Sequence, residues 1–144
     1  MRIGVRKQGN GEEMLKTKKF TWLTTIVMSV LLLGCSANEV INVGTPYNYK
    51  GTVVVEFESE ISNSEVIAKL RTIVDDLERI EKINSIEAEA DVFFSLDRPK
   101  DDVSEIRLYV WYQSDGSAIL FDGSSNYFTL SIEQTKELKR ILES

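Results

Sequence analysis

Between Glu105 and Leu130 the chain spells out neighbouring strands. "EIRLYVWYQ", Glu105 to Gln113, places Ile106, Leu108, Val110 and Tyr112 on one side and Arg107, Tyr109 and Trp111 on the other. Successive side chains of a strand point to opposite faces, so this alternation reads as a strand. Ser114-Asp115-Gly116-Ser117 follows, and Asp-Gly is a favoured pair for a hairpin turn. "AILF", Ala118 to Phe121, returns; Asp122-Gly123-Ser124-Ser125 turns again; "NYFTL", Asn126 to Leu130, is the next strand. Strands joined by turns this short predict a meander.

The flanking segments supply layers. "GTVVVEFE", Gly51 to Glu58, predicts a strand with Val53, Val55 and Phe57 on one face and Thr52, Val54 and Glu56 on the other. "ISNSEVIAKLRTIVDDLERIEKI" carries Val66, Ile67, Leu70, Ile73, Val74, Leu77, Ile80 and Ile83 at helical spacing. That predicts one long helix, with Ser62 and Glu65 as a capping box and Ile61 stapled onto Val66. Glu87 to Leu96 alternates and ends before Asp97-Arg98-Pro99, since proline donates no hydrogen bond and restricts its predecessor. Ser131 caps a last helix, with Gln134 in the box position and Leu138, Ile141 and Leu142 facing the core. The expected order is β-α-β-β-β-β-α: an α+β, two-layer fold with a mainly antiparallel sheet and two helices on one face. The expected organisation is residues 1–34 as a leader, 35–50 as a tether rich in Asn with Gly44 and Pro46, and 51–144 as a single domain.

Composition removes function classes. The 144 residues hold no histidine and one cysteine. No Ser/His or Cys/His catalytic arrangement is available, the commonest transition-metal ligand is missing, and no intrachain disulfide can form. Residues 1–34 carry six basic side chains against two acidic ones, whereas residues 35–144 carry 11 against 21. So acidic a body argues against a nucleic-acid partner, which requires clustered Lys and Arg.

The basic end is a targeting signal. Lys16, Lys18 and Lys19 precede Phe20 to Leu33, 14 residues without a charge. That length suits a signal-peptide core and is short of the ~20 residues of a membrane span. Leu32-Leu33-Gly34-Cys35 follows. This run resembles the lipobox of bacterial lipoproteins: an aliphatic residue, a small or aliphatic one, Gly or Ala, then Cys. The resemblance implies a diacylglyceryl thioether on Cys35, cleavage between Gly34 and Cys35, and acylation (palmitate or a similar chain). It places the protein on the extracytoplasmic face of the cell membrane, held there by lipid. A buried cysteine on a core helix and an uncleaved anchor helix are the other readings of this segment. The leader is complete from Met14, so translation is expected to start there rather than at Met1. Residues 88–142 also resemble small uncharacterised lipoproteins of Gram-positive bacilli, through Arg98-Pro99, the strand holding Trp111, and the Tyr127 strand leading into the terminal helix. That likeness implies an envelope location and no activity.

No catalytic set, metal site or cofactor is expected. Asp75 and Asp76 point ~100° apart on a helix and cannot converge as a carboxylate pair. Asp101 and Asp102 read as a solvated loop. Asp122 to Asn126 lacks the further acids of a calcium loop and reads as a hairpin turn. Phe93, Arg107, Tyr109 and Trp111 remain. They lie on strand faces opposite the main apolar alternation, and would form an exposed sticky patch if the helices cover only the other side. Burial of both faces, or of Trp111 beneath a loop, is the competing reading. The expected function is therefore a non-catalytic binding domain at the cell envelope, with an envelope protein, peptide or wall component as partner. The alternatives are an enzyme or enzyme accessory acting on envelope polymers, and a regulatory subunit of a membrane complex.

Overall fold

A computed structural model describes residues 38–144 apart from Ser85 and Glu87. The leader, Gly34, Cys35 and the start of the expected tether lie outside the described residues. The strands are β1 (Val40–Tyr49), β2 (Thr52–Ile61), β3 (Glu78–Ile80), β4 (Val92–Arg98), β5 (Val103–Tyr112), β6 (Ala118–Phe121) and β7 (Tyr127–Leu130). The helices are α1 (Ser64–Asp75) and α2 (Ile132–Leu142). All seven strands form one open antiparallel sheet in the order β2-β1-β4-β5-β6-β7-β3. The class is α+β, with both helices on one face of the sheet.

The helix-covered face is aliphatic. Ile41, Leu96 and Ile106 stand in one rank across β1, β4 and β5, and Val43, Phe94 and Leu108 in the next. Against them pack Ile67, Leu70 and Ile73 of α1 and Leu138, Ile141 and Leu142 of α2. Period-2 alternation in the strands meets period-3.6 stripes in the helices, and the result is one contiguous core. Ser131 caps α2 in a capping box with Gln134, as its sequence spacing predicts.

Three features differ from expectation. Residues 40–49 are a strand and not a tether: β1 pairs with β2 along its length and with β4 from Val40 to Gly44. Its apolar alternation is short and broken by Gly44 and Pro46. Both breaks are accommodated, because β2 bulges at Glu58 opposite the Val43–Gly44 step, and Pro46 lies beyond the part paired with β4. The hairpin to β2 turns through Lys50 and Gly51, both at positive φ as a two-residue type I′ turn requires.

Second, α1 stops at Asp75 instead of running through Ile83, and Glu78–Ile80 pairs with β7 as a short edge strand. Two acidic residues in succession, with no basic residue in the last turn, oppose the negative end of the helix dipole. Third, the cap of α1 is Asn63 and not Ser62; its Oδ1 accepts from the backbone N–H of Glu65 and Val66.

A network of ions fastens the beginning of the domain. Glu39, just before β1, pairs with Arg71 of α1, which also meets Glu105 of β5 at 2.7 Å. Arg98 at the end of β4 pairs with Glu105 and lies 3.8 Å from Glu39. Four elements are thus tied at one corner, where shared partners make the network worth more than isolated surface pairs.

Candidate functional site: an aromatic rank on the open face

The face away from the helices is organised by register. Gly44 of β1 is opposite Phe57 of β2 on one side and Phe93 of β4 on the other. Phe93 pairs with Tyr109, Tyr109 with Phe121, Phe121 with Tyr127, and Tyr127 with Ile80. One straight rank therefore crosses all seven strands, and five of its members are aromatic. The ring centroids are 6.1 Å apart for Phe57 and Phe93, 4.9 Å for Phe93 and Tyr109, 6.4 Å for Tyr109 and Phe121, and 4.7 Å for Phe121 and Tyr127. These separations lie within the range of favourable aromatic pairing.

Gly44 is the gap in the rank. A β-carbon there would fall 2.5 Å from the Glu56 carbonyl oxygen, so the bulge admits only glycine. Without a side chain at Gly44, the Phe57 ring reaches across β1 to meet Phe93.

Of the four expected residues, all share this face. Phe93, however, is not part of an exposed patch: it is 1% exposed, covered by its ring neighbours and with the Arg107 guanidinium 5.9 Å from its ring centre. Arg107 is exposed, and Tyr109 and Trp111 are half-buried. The Trp111 indole Nε1–H donates to the Ala88 carbonyl at 2.9 Å. The segment between β3 and β4 therefore runs along this face at Trp111. Further bonds pin it: Asn48 N–H donates to Glu89, Asp91 N–H to the Val110 carbonyl, and Tyr112 N–H to the Asp91 carboxylate.

Between this segment, the tip of the β1–β2 hairpin and the sheet lies a cleft of about 740 Å³. Its aromatic floor is Tyr109, Trp111, Phe121 and Tyr127, and its rim carries Asn48, Lys82 and Glu89. An apolar floor with a few polar groups at the rim is the usual make-up of a ligand site. Phe121 and Tyr127 were not expected from the sequence. Their alternation places them on a face, but only pairing register puts them beside Tyr109.

The opposite end of the face is polar. A hollow of about 370 Å³ is lined by Asn42, Phe57, Glu60, Asp97 and Arg107 among others. Asp97 accepts from Asn42 Nδ2 at 2.6 Å and Ser95 Oγ at 2.9 Å. Burial works to raise its carboxyl pKa, but hydrogen bonds from Ser104, Asn42 and Ser95 and the charge of Arg107 outweigh it, leaving it below the usual value.

The other shifted carboxylates are turn residues. Asp122 is held down in the same way: desolvation is outweighed by backbone and side-chain donors from Ser124 and Asn126. Its Oδ1 accepts from the N–H groups of Ser124, Ser125 and Asn126, and its Oδ2 from Asn126 Nδ2, so its acceptor capacity is spent on the turn. Asp115 is lowered by Ser117 in the first hairpin. Each resolved carboxylate shift is downward, whereas a general acid needs an upward one. Asp75, Asp76, Asp101 and Asp102 are exposed; Asp102 lines the polar hollow beside Asp97, and the other three line neither hollow described above. Among the described residues, no three His, Cys, Asp or Glu side chains gather as a metal site.

No protein-family model matches the chain, and neither a curated protein sequence nor a solved structure matches it.

Proposed function

We propose that this protein is a lipoprotein anchored through Cys35 to the extracytoplasmic face of the cell membrane, and that its domain is a non-catalytic binding module. The ligand occupies the aromatic cleft on the open face of the sheet. The observation that carries the binding role is the floor of Tyr109, Trp111, Phe121 and Tyr127, half-buried side by side in one cleft. Rings kept partly accessible in a concave site offer large, rigid contact area at low entropic cost.

The leader and lipobox support the anchor. Only Ser36, Ala37 and Asn38 separate Cys35 from Glu39, the first member of the ion network. Four Cα steps span at most ~14 Å, so lipid on Cys35 would hold this corner of the domain close to the bilayer. The β1–β2 hairpin and the aromatic cleft beside it lie at the far end of β1.

Two experiments test the reading. Cells fed a radiolabelled fatty acid should label the mature protein, and Cys35→Ser should abolish both label and membrane partitioning; an unlabelled protein removes the anchor. A photo-crosslinking amino acid at Tyr127, in the cleft, should give a discrete adduct in intact cells, while the same group at Lys136 on α2 should not. Equal yields from both positions, or none at Tyr127, would remove the binding role.

A further inference from the structure

The two edges of the sheet are built differently. At one edge, β3 is three residues long and carries Glu78 and Arg79. Short, charged edge strands are a common way of preventing unwanted strand pairing. At the other edge, β2 is ten residues long and, among the described residues, has a strand neighbour only on the β1 side. It contains no Lys, Arg or Pro, and its one irregularity is the bulge at Val43/Gly44, which leaves Glu58 unpaired across from β1. The regular part, Thr52 to Phe57, presents a free row of backbone donors and acceptors. Val53 is 56% exposed and Phe57 59% exposed on the open face.

We infer that the outer edge of β2 accepts an extended, basic segment of a partner protein as an eighth strand, with an apolar side chain placed against Phe57. Main-chain hydrogen bonds give such a site its affinity, and alternate side chains give it specificity. The side-chain pattern of β2 specifies the occupant. Every charge from Thr52 to Ile61 is negative: Glu56, Glu58 and Glu60. A second copy paired through the same edge in the phase that sets Phe57 against Phe57 would bring glutamates opposite glutamates, which destabilises strand pairs. A lysine- or arginine-bearing strand instead meets opposite charges. Phe57 also ends the aromatic rank, its ring half in solvent, so an apolar residue beside it extends the rank by one strand. Of this edge, Val53 reaches the rim of the aromatic cleft, whereas Glu56, Phe57 and Glu60 do not line it, so changes at Glu56 and Phe57 test the edge separately from the cleft.

The test uses the full chain purified in detergent and three fluorescent octapeptides. The first alternates Lys and Val around a central Phe, the second replaces Lys by Glu, and the third is the first with alternate backbone nitrogens methylated. Fluorescence anisotropy should show saturable binding of the first, with binding of the second and third weaker by at least about 10-fold, since the charge and the ladder hydrogen bonds are lost. Glu56→Lys and Phe57→Ala, both at exposed positions outside the cleft lining, should each weaken the first peptide severalfold, while Tyr127→Ala should leave it unchanged. Binding that survives N-methylation, or that is lost in Tyr127→Ala, overturns the proposal. So does self-association of the chain that Phe57→Ala abolishes, because the edge then holds a second copy.

Discussion

The two faces of the sheet are made from the same strands and differ in chemistry. The helix side is mostly Ile, Leu and Val, with Phe94 at its centre and Tyr112 and Phe128 packed at its margin, and two amphipathic helices seal it. The other side is Phe, Tyr and Trp, and an irregular segment covers it only at one end. Branched aliphatic side chains interdigitate and leave no room; rings in a rank leave their edges and faces available. The first arrangement suits a core, and the second suits a surface that is stable yet still able to accept something.

Phe93 and Phe94 put that contrast to its hardest test. They are adjacent, point to opposite faces, and are 1% and 0% exposed. Truncating Phe94 to Ala should cost about 3–5 kcal/mol in urea unfolding, as for any large core ring. Phe93→Ala is expected to cost nearly as much, because Phe57, Tyr109 and Arg107 surround it. If Phe93→Ala costs under about 1 kcal/mol, the open face contributes no core and the aromatic rank is purely a surface.

Trp111→Phe probes the segment that crosses the open face. It removes the hydrogen bond to Ala88 and should cost about 0.5–1.5 kcal/mol. The same change should speed hydrogen exchange across residues 81–91 while leaving α1 and α2 protected. Uniform acceleration throughout the domain would mean that the segment and core open together. Tyr127→Ala, at a half-buried ring, should cost no more than about 1.5 kcal/mol and act chiefly on adduct formation at the cleft.

The smallest effects are in pH, and they too divide by face. Tyr112 belongs to the helix side, where burial first, then the charges of Asp91 and Glu143, raise its pKa from 10.0 to about 12. The folded state then holds its proton longer than the unfolded chain, so stability should fall between pH 10 and about 12 and be flat just below that window. Because the ring is partly exposed, the loss should be below about 1 kcal/mol, and Tyr112→Phe should remove it. Asp97 belongs to the open face and has the opposite sign. Its lowered pKa contributes stability above its ordinary value of 3.8, and that contribution is lost as pH falls through the folded value. Asp97→Asn should flatten this acid limb without touching the alkaline one.

Local signals explain which parts of this could be read from the chain. The β5-β6-β7 meander, its two Asp-Gly turns and the capping box of α2 each depend on residues within a few positions of one another. β1 was hidden because a glycine and a proline interrupt its alternation, and what accommodates them is a bulge and the end of its pairing with β4. β3 was hidden because Leu77, Ile80 and Ile83 continue the helical spacing of α1, and nothing local says that an edge of β7 is available. The site divides in the same way. Alternation alone places Phe93, Arg107, Tyr109 and Trp111 on one face. That Phe57, Phe121 and Tyr127 join them is a matter of register between strands far apart in sequence, and Phe93's burial depends on those neighbours.

Gly44 has a further consequence for genetics. It offers no functional group, yet any replacement drives a carbon into a main-chain oxygen that belongs to a hydrogen-bonded hairpin and cannot step aside. A saturation screen scored only for lost recognition should therefore report Gly44 among its most intolerant positions. Taken at face value, such a map would assign contact with the ligand to a residue whose whole contribution is to be empty.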